Sequence, residues 1–485
     1  MFKRRDTTTF AIVWGLLASV LLTSALPPTS EAGPRLRRKL QEDALPSSAE
    51  PTPTPPAAPV KKTSPKKHEV WKPPVKQPAS IKPAPAKPAA AKPAATPSAV
   101  KPQPQKTTPK TTTKTQPVRR SRSSSSSSSR SKTGKSKTEP VESVQFRTPY
   151  LSSSGTPLQG SVAWQSRAAG KIQSSPALDA STVFVATQNG HVQAYPRTGG
   201  GALWNTDLKS SIDHSSPAVA GNLVYVGTAT GEFVALSKNN GVEQWRFSAG
   251  EGIASSPVVH GNAVYFAARN GNIYSLNAQT GEGRWQFETA TMIGASPYVD
   301  AKSNTLIVAD YSGRTYALDA GSGELKWFHT VDGPIVSSPV VYENTAYLTS
   351  TVGAVYALDV NSGVRRWSHA GSFGGGVYAS PIVFRKDGFD QVVVADADGR
   401  IACIHTQYIT SAWKVNLNEA IIASPVLVDN VLYVATGNGH IVALDINTGD
   451  LRWSKAVEAV IESTPVVSNG KLFVGSNDGT LFALE

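Results

Sequence analysis

From residue 161 onward apolar residues come in short runs punctuated by Gly, Asn, Asp and Ser, and residues 431–467 show the unit. Val431–Ala435 reads as a strand, Gly437-Asn438-Gly439 as a turn and His440–Asp445 as a second strand. Residues 446–449 turn again, 451–455 form a strand around Trp453, and 456–462 lead to 463–467, which opens the next unit. Short strands with turn residues about every eight to twelve positions predict a four-stranded meander.

The unit repeats. Trp164, Trp204, Trp245, Trp285, Trp327, Trp367, Trp413 and Trp453 follow one another at steps of 40, 41, 40, 42, 40, 46 and 40. A second ladder keeps the same register: Ser-Pro at Ser175, Ser216, Ser256, Ser296, Ser338, Ser380 and Ser424, completed by Thr464-Pro465. Meanders repeated around an axis form a propeller, whose sheet edges stay short and protected. The sequence therefore predicts an all-β chain with an eight-bladed β-propeller of four-stranded blades over 161–485. The eighth unit stops without its tryptophan strand, and 161–167, with Trp164, lacks a unit of its own. Pairing 161–167 with 480–485 closes the ring.

Recurrent slots assign positions within a blade. Proline donates no ladder bond and suits an edge, so the Ser-Pro strand is expected innermost and the tryptophan strand outermost. The serines either face the axis or bond the channel rim. Eight residues before seven of the tryptophans lies an Asp-type turn slot: Pro196, Ser237, Asn277, Asp319, Asp359, His405 and Asp445. Four residues later comes glycine at Gly200, Gly241, Gly281, Gly323, Gly363 and Gly449, broken by Ile409. Asp or Asn bonds its own turn backbone and Gly supplies positive φ. Two residues before the Asp slot the side chain is small (Ala194, Ala235, Ser275, Ala317, Ala357, Ala443 and, in the last unit, Ala483). The eight tryptophans are expected to lie flat against these residues where blades meet, a structural role.

Asp445-Ile446-Asn447-Thr448-Gly449-Asp450-Leu451-Arg452-Trp453 resembles the Ala-x-Asp-x-x-Thr-Gly-x-x-x-Trp docking motif of PQQ-like repeat propellers. The pattern recurs with drift over about 161–485, and the compact units look most like the BamB family. That resemblance implies a non-catalytic scaffold for protein–protein interaction in outer-membrane β-barrel assembly, with no bound cofactor. Quinoprotein dehydrogenases resemble the chain in repeat and would imply pyrroloquinoline quinone and calcium. Those enzymes also carry long insertions and a vicinal Cys-Cys pair, which units of this length and a single cysteine do not supply.

Ahead of the repeats the composition changes. Residues 1–140 carry 27 Lys and Arg against 7 Asp and Glu, so of the +13 on the chain the remainder holds −7. The high isoelectric point thus describes a basic arm, and no nucleic-acid-binding fold is expected. Residues 34–140 hold 21 of the 35 prolines and a serine tract, too little apolar surface to offset ordering entropy. Lys3-Arg4-Arg5 precedes an apolar run over residues 10–22, shorter than the roughly 20 residues of a spanning helix. We divide the chain into a signal peptide or signal anchor at 1–32, a disordered basic Pro-rich linker at 33–145, a lead-in at 146–160 and the propeller. Either reading of 1–32 places a monomeric propeller outside the cytoplasm, in the periplasm or cell envelope. The arm is a spacer or a contact for an acidic envelope polymer or anionic lipid. A sensor or adhesin that presents the propeller on this arm is the alternative function.

Candidate chemistry is sparse. Cys403 falls in the small slot and reads as a buried stand-in for alanine. Asp396-Ala397-Asp398-Gly399 lacks the later ligands of a calcium loop, and the histidines have no metal-ligand spacing. Neither a catalytic, a cofactor nor a metal site is predicted. The unit from Trp367 to Trp413 is the longest and breaks both turn slots, with His405 and Ile409. Its first hairpin reads as lengthened to a loop at 384–390. Phe384, Arg385, Lys386, Phe389 and Tyr408 are therefore the expected contacts for a protein partner, aromatic and cationic residues being favoured at hot spots.

Overall fold

A computed structural model describes residues 158–370 and 373–485. The signal or anchor segment, the basic linker and most of the lead-in lie outside the described residues.

Thirty-two strands form eight four-stranded antiparallel sheets among the described residues, arranged as a β-propeller. In seven blades the strands follow one another in chain order. Burial explains the assignment of inner and outer strands. Second strands such as Val431–Ala435 are buried throughout, whereas fourth strands such as Leu451–Ala456 are largely exposed. The first strands are short, and each begins just after its Ser-Pro. The proline, which has no N–H, thus stands at the entrance of the innermost strand.

The eighth blade joins both ends of the propeller. Val162–Arg167 pairs antiparallel with Thr480–Leu484, with Trp164 opposite Ala483 and Arg167 opposite Thr480. Glu485 N donates to Ser161 O at 2.9 Å, and Gln159 N and Ser161 N donate to Glu485 O at 3.1 Å. The expected closure is present, and residues 158–160 extend it.

Each tryptophan stands opposite its small residue, as Trp453 opposite Ala443 and Trp413 opposite Cys403. Immediately beyond, the register shifts by a bulge. Seven indole N–H groups donate to a carbonyl of the next blade, among them Trp327 to Val360 O at 2.7 Å and Trp413 to Ile446 O at 2.9 Å. The glycine slot has a second purpose besides positive φ. At Gly449 (φ +78°) a Cβ would lie 2.7 Å from Trp413 Cε3, and at Gly363 (φ +69°) 2.6 Å from Trp327 ring carbons. Glycine therefore lets the turn lie directly on the indole of the preceding blade. In the first blade Gly199, not Gly200, packs on Trp164. That turn closes one residue tighter, with Gly199 N bonded to Pro196 O. Residues 158–160 fill this role for Trp453, which donates to Leu158 O at 2.6 Å and lies on Gly160.

A meander places the first-to-second and third-to-fourth turns on one face of the ring. The second-to-third turns and the links between blades lie on the opposite face.

Candidate functional site

The Ser-Pro serines do both things open to them. Ser175 N donates to Ser216 Oγ at 2.9 Å, Ser216 N to Ser256 Oγ at 3.0 Å, and the chain of links continues through Ser296, Ser338, Ser380 and Ser424 to Thr464 Oγ1. The same hydroxyls line an axial cavity of about 590 Å³. Each Oγ satisfies a backbone donor that an edge strand would leave unpaired. A further serine escaped the sequence reading: Ser174, Ser215, Ser255, Ser337 and Ser463 bind within their own blades. Ser255 Oγ, for example, bonds both Ala267 O and Ala267 N at 2.9 Å. The recurrent Ser-Ser doublet before proline was the signal that could have found it.

The sixth blade, built from Ile382–Lys386, Phe389–Ala395, Arg400–His405 and Thr410–Asn416, carries the predicted partner patch. The lengthened loop is absent. The first two strands continue to Lys386 and Phe389 around a two-residue turn, Asp387-Gly388, with φ of +52° and +83°. An Asp-Gly pair at positive φ is the tight hairpin turn that matches strand twist, so the extra residues became extra ladder. Phe384 is consequently not a surface contact. It is buried in a cluster with Ile382, Val393 and Ile401, because alternation along the longer strand points it inward.

The remaining predicted residues stay exposed or half-buried. Phe389 packs against His405 with ring centroids 5.3 Å apart, and His405 against Tyr408 at 4.6 Å. Tyr408 is 65% exposed. Arg385 bridges to Glu343 of the fifth blade at 2.9 Å and donates to Gly388 O, while Lys386 lies half-buried at the hairpin end. His405 Nδ1 accepts from Gln407 N at 3.3 Å, in the manner of the usual turn aspartate. Ile409 keeps φ at +54° and is the only β-branched residue of positive φ among the described residues. Such a conformation costs about 1–3 kcal/mol. Burial raises the pKa of Asp390, whose Oδ2 accepts from Tyr347 Oη at 3.2 Å.

Cys403 is fully buried, and burial pushes its thiol up to about 12, the behaviour of an inert small hydrophobe. No cluster of three His, Cys, Asp or Glu fit to hold a metal occurs among the described residues.

A family model described as "Beta-alanine-activating enzyme, beta-propeller" matches residues 200–485. The chain belongs to this propeller family. A comparison with curated protein sequences returned no significant match. Among solved structures, this family member is similar to BamB from Moraxella catarrhalis, with 19% identity over 67% of this chain and 97% of that one and a TM-score of 0.58. The computationally designed Ika8 protein follows at 17% identity over 68% and 98%, TM-score 0.58. Quinohemoprotein alcohol dehydrogenase from Comamonas testosteroni matches at 14% identity over 69% and 78%, TM-score 0.57. At these identities the likeness is one of fold.

The cavity does not fit the quinone that the resemblance to quinoprotein dehydrogenases implies. Pyrroloquinoline quinone is a tricarboxylate, and the cavity offers it one guanidinium, Arg269, already paired with Asp213 at 3.0 Å. Glu462 adds a further negative charge to the same wall.

Proposed function

We propose that the protein is a non-catalytic propeller scaffold of the cell envelope that holds a protein partner at the outer corner of the sixth blade. One observation carries the reading. The only blade to break both turn slots is also the one that exposes an aromatic tier, Phe389, His405 and Tyr408, flanked by Arg385 and held by a strained Ile409. Strain retained at a surface turn where other blades use glycine supports a role outside folding. Aromatic and arginine side chains are the anchors that interfaces favour. The fold likeness to BamB supports the scaffold class, and the basic run near residue 3 with the apolar run after it supports an envelope location. The family name comes from an enzyme, and here the match covers the propeller, which we read as an interaction module.

The test is photo-crosslinking of the full-length chain in its native envelope, with the crosslinker at Gln407. A specific adduct that disappears in the Phe389→Ala/Tyr408→Ala double variant, at unchanged melting temperature, supports the proposal. An adduct pattern indifferent to both substitutions overturns it.

A further inference from the structure

The axial cavity opens on the face opposite the sixth-blade patch, and its lining is lopsided. Gln173, His214, Glu462 and Arg269, with Asp213 behind, form one wall from the eighth, first, second and third blades. Met292, Val336 and Ile422 form an apolar wall across from it, and Tyr311 and Tyr378 stand between. Its volume of about 590 Å³ lies within the roughly 300–1,000 Å³ of small-molecule sites.

The charges on the polar wall do not balance. Arg269 Nη2 meets Asp213 Oδ2 at 3.0 Å, but Glu462 has only the amide of Gln173, donating to Oε2 at 2.7 Å. No Lys or Arg lies within ion-pair distance of Glu462 among the described residues. Burial holds the His214 imidazole below its usual pKa despite Glu462 and Asp213 nearby, so at neutral pH it supplies an acceptor nitrogen and no charge. Two carboxylates thus face one guanidinium. Partly buried charge is stable when paired, and an anionic ligand would worsen the imbalance.

We propose that the axial cavity binds an aliphatic primary ammonium, its –NH3+ on Glu462 and its methylene stem along Met292, Val336 and Ile422. An ammonium has three donors and no acceptor, which suits the Glu462 carboxylate, the His214 nitrogen and the serine oxygens. Alkyl stems of cations pack on apolar surface, and the electron-rich rings of Tyr311 and Tyr378 favour a cation beside them. The ligand is a free alkylamine or a lysine side chain. The site rests on the cavity alone and is independent of the sixth-blade patch.

Titration calorimetry on the full-length chain at low salt tests this with n-butylammonium and Nα-acetyl-lysine N-methylamide, against n-butanol and butyrate. Saturable one-to-one binding of the ammonium probes is expected, with neither control binding. Preference for the lysine derivative assigns the source to a polypeptide, and preference for butylammonium to a free amine. Glu462→Gln should weaken binding about tenfold or more, while Glu282→Gln, exposed on the other face, leaves it unchanged. Val336→Phe, which narrows the cavity without touching the charges, should also weaken it. Absence of saturable binding by either ammonium, equal binding by butanol, or unchanged affinity in folded Glu462→Gln would each overturn the proposal.

Discussion

The fifth and sixth blades are neighbours built on one plan, and they treat the same corner differently. In the fifth blade Asp359 accepts from Asn361 N and Ser362 N, and Gly363 lies flat on Trp327. In the sixth, His405 accepts from Gln407 N, Ile409 holds the positive φ, and Tyr408 stands into solvent. The backbone path is common to both: Gly363 N bonds Asp359 O and Ile409 N bonds His405 O, each at 2.8 Å. The turn geometry is therefore imposed by the ring, while the residues that fill it are free to be optimal or not. Where they are not, as at Ile409 with its φ of +54°, the turn gives up some stability.

Removing residues 158–167 breaks the comparison most severely, since every blade depends on ring closure. The deletion strips Thr480–Leu484 of its partner strand and Trp453 of its acceptor. Loss of cooperative melting or aggregation is expected, and a variant that melts like the parent would remove closure as the source of stability. Next comes Trp327→Ala in the regular corner. The side chain is 9% exposed and its N–H bonds Val360 O at 2.7 Å, so a loss of about 3–5 kcal/mol is expected by chemical denaturation. Gly449→Ala should cost about 2–4 kcal/mol, combining a positive φ with a Cβ inside the Trp413 ring contact.

These corners also show what the sequence made legible. Period, blade number, closure and inner-outer order were readable because each rests on a residue type whose backbone or packing need is narrow: Pro at an edge, Gly at positive φ, Trp at a seam. The glycine's contact with the preceding indole was not readable, since nothing in a single turn says which ring lies over it. Phe384 was misjudged for a related reason. Extra residues in a hairpin either lengthen its loop or add ladder steps, and Asp387-Gly388 decided for the ladder. The axial wall was invisible because Gln173, His214 and Glu462 are about 40 and 290 residues apart in sequence and meet only through the ring.

The comparison is sharpened by moving each corner toward the other. Ile409→Gly should stabilise by about 1 kcal/mol, the relief of strain being partly offset by backbone entropy in the unfolded chain. Crosslinking through Gln407 should weaken if the strained turn aims Tyr408, and a stabilised variant with full crosslinking would leave the strain without a function. Cys403→Ala, in a slot that six other blades fill with alanine, should change stability by about 1 kcal/mol or less, and the folded protein should resist thiol alkylation.

The smallest effect concerns pH. Arg366 Nη2 donates to Asp359 Oδ2 at 2.7 Å, and this bond, with those from Ser362 and Asn361, holds the carboxyl below its usual pKa. A depressed carboxyl stabilises the fold above its unfolded value, about 3.9, and that contribution fades as the pH falls through the folded value. The pair lies at the surface, so about 0.2–1 kcal/mol is at stake. The matching corner of the sixth blade has His405 in place of this carboxylate, so no depressed carboxyl stands at that position. Asp359→Asn is therefore expected to flatten the stability curve between roughly pH 5 and 3 at little cost at neutral pH. His405→Asn should leave the slope of that curve untouched. A matching change in slope from both substitutions, read from denaturant midpoints across the window, would mean that the two corners are electrostatically alike after all.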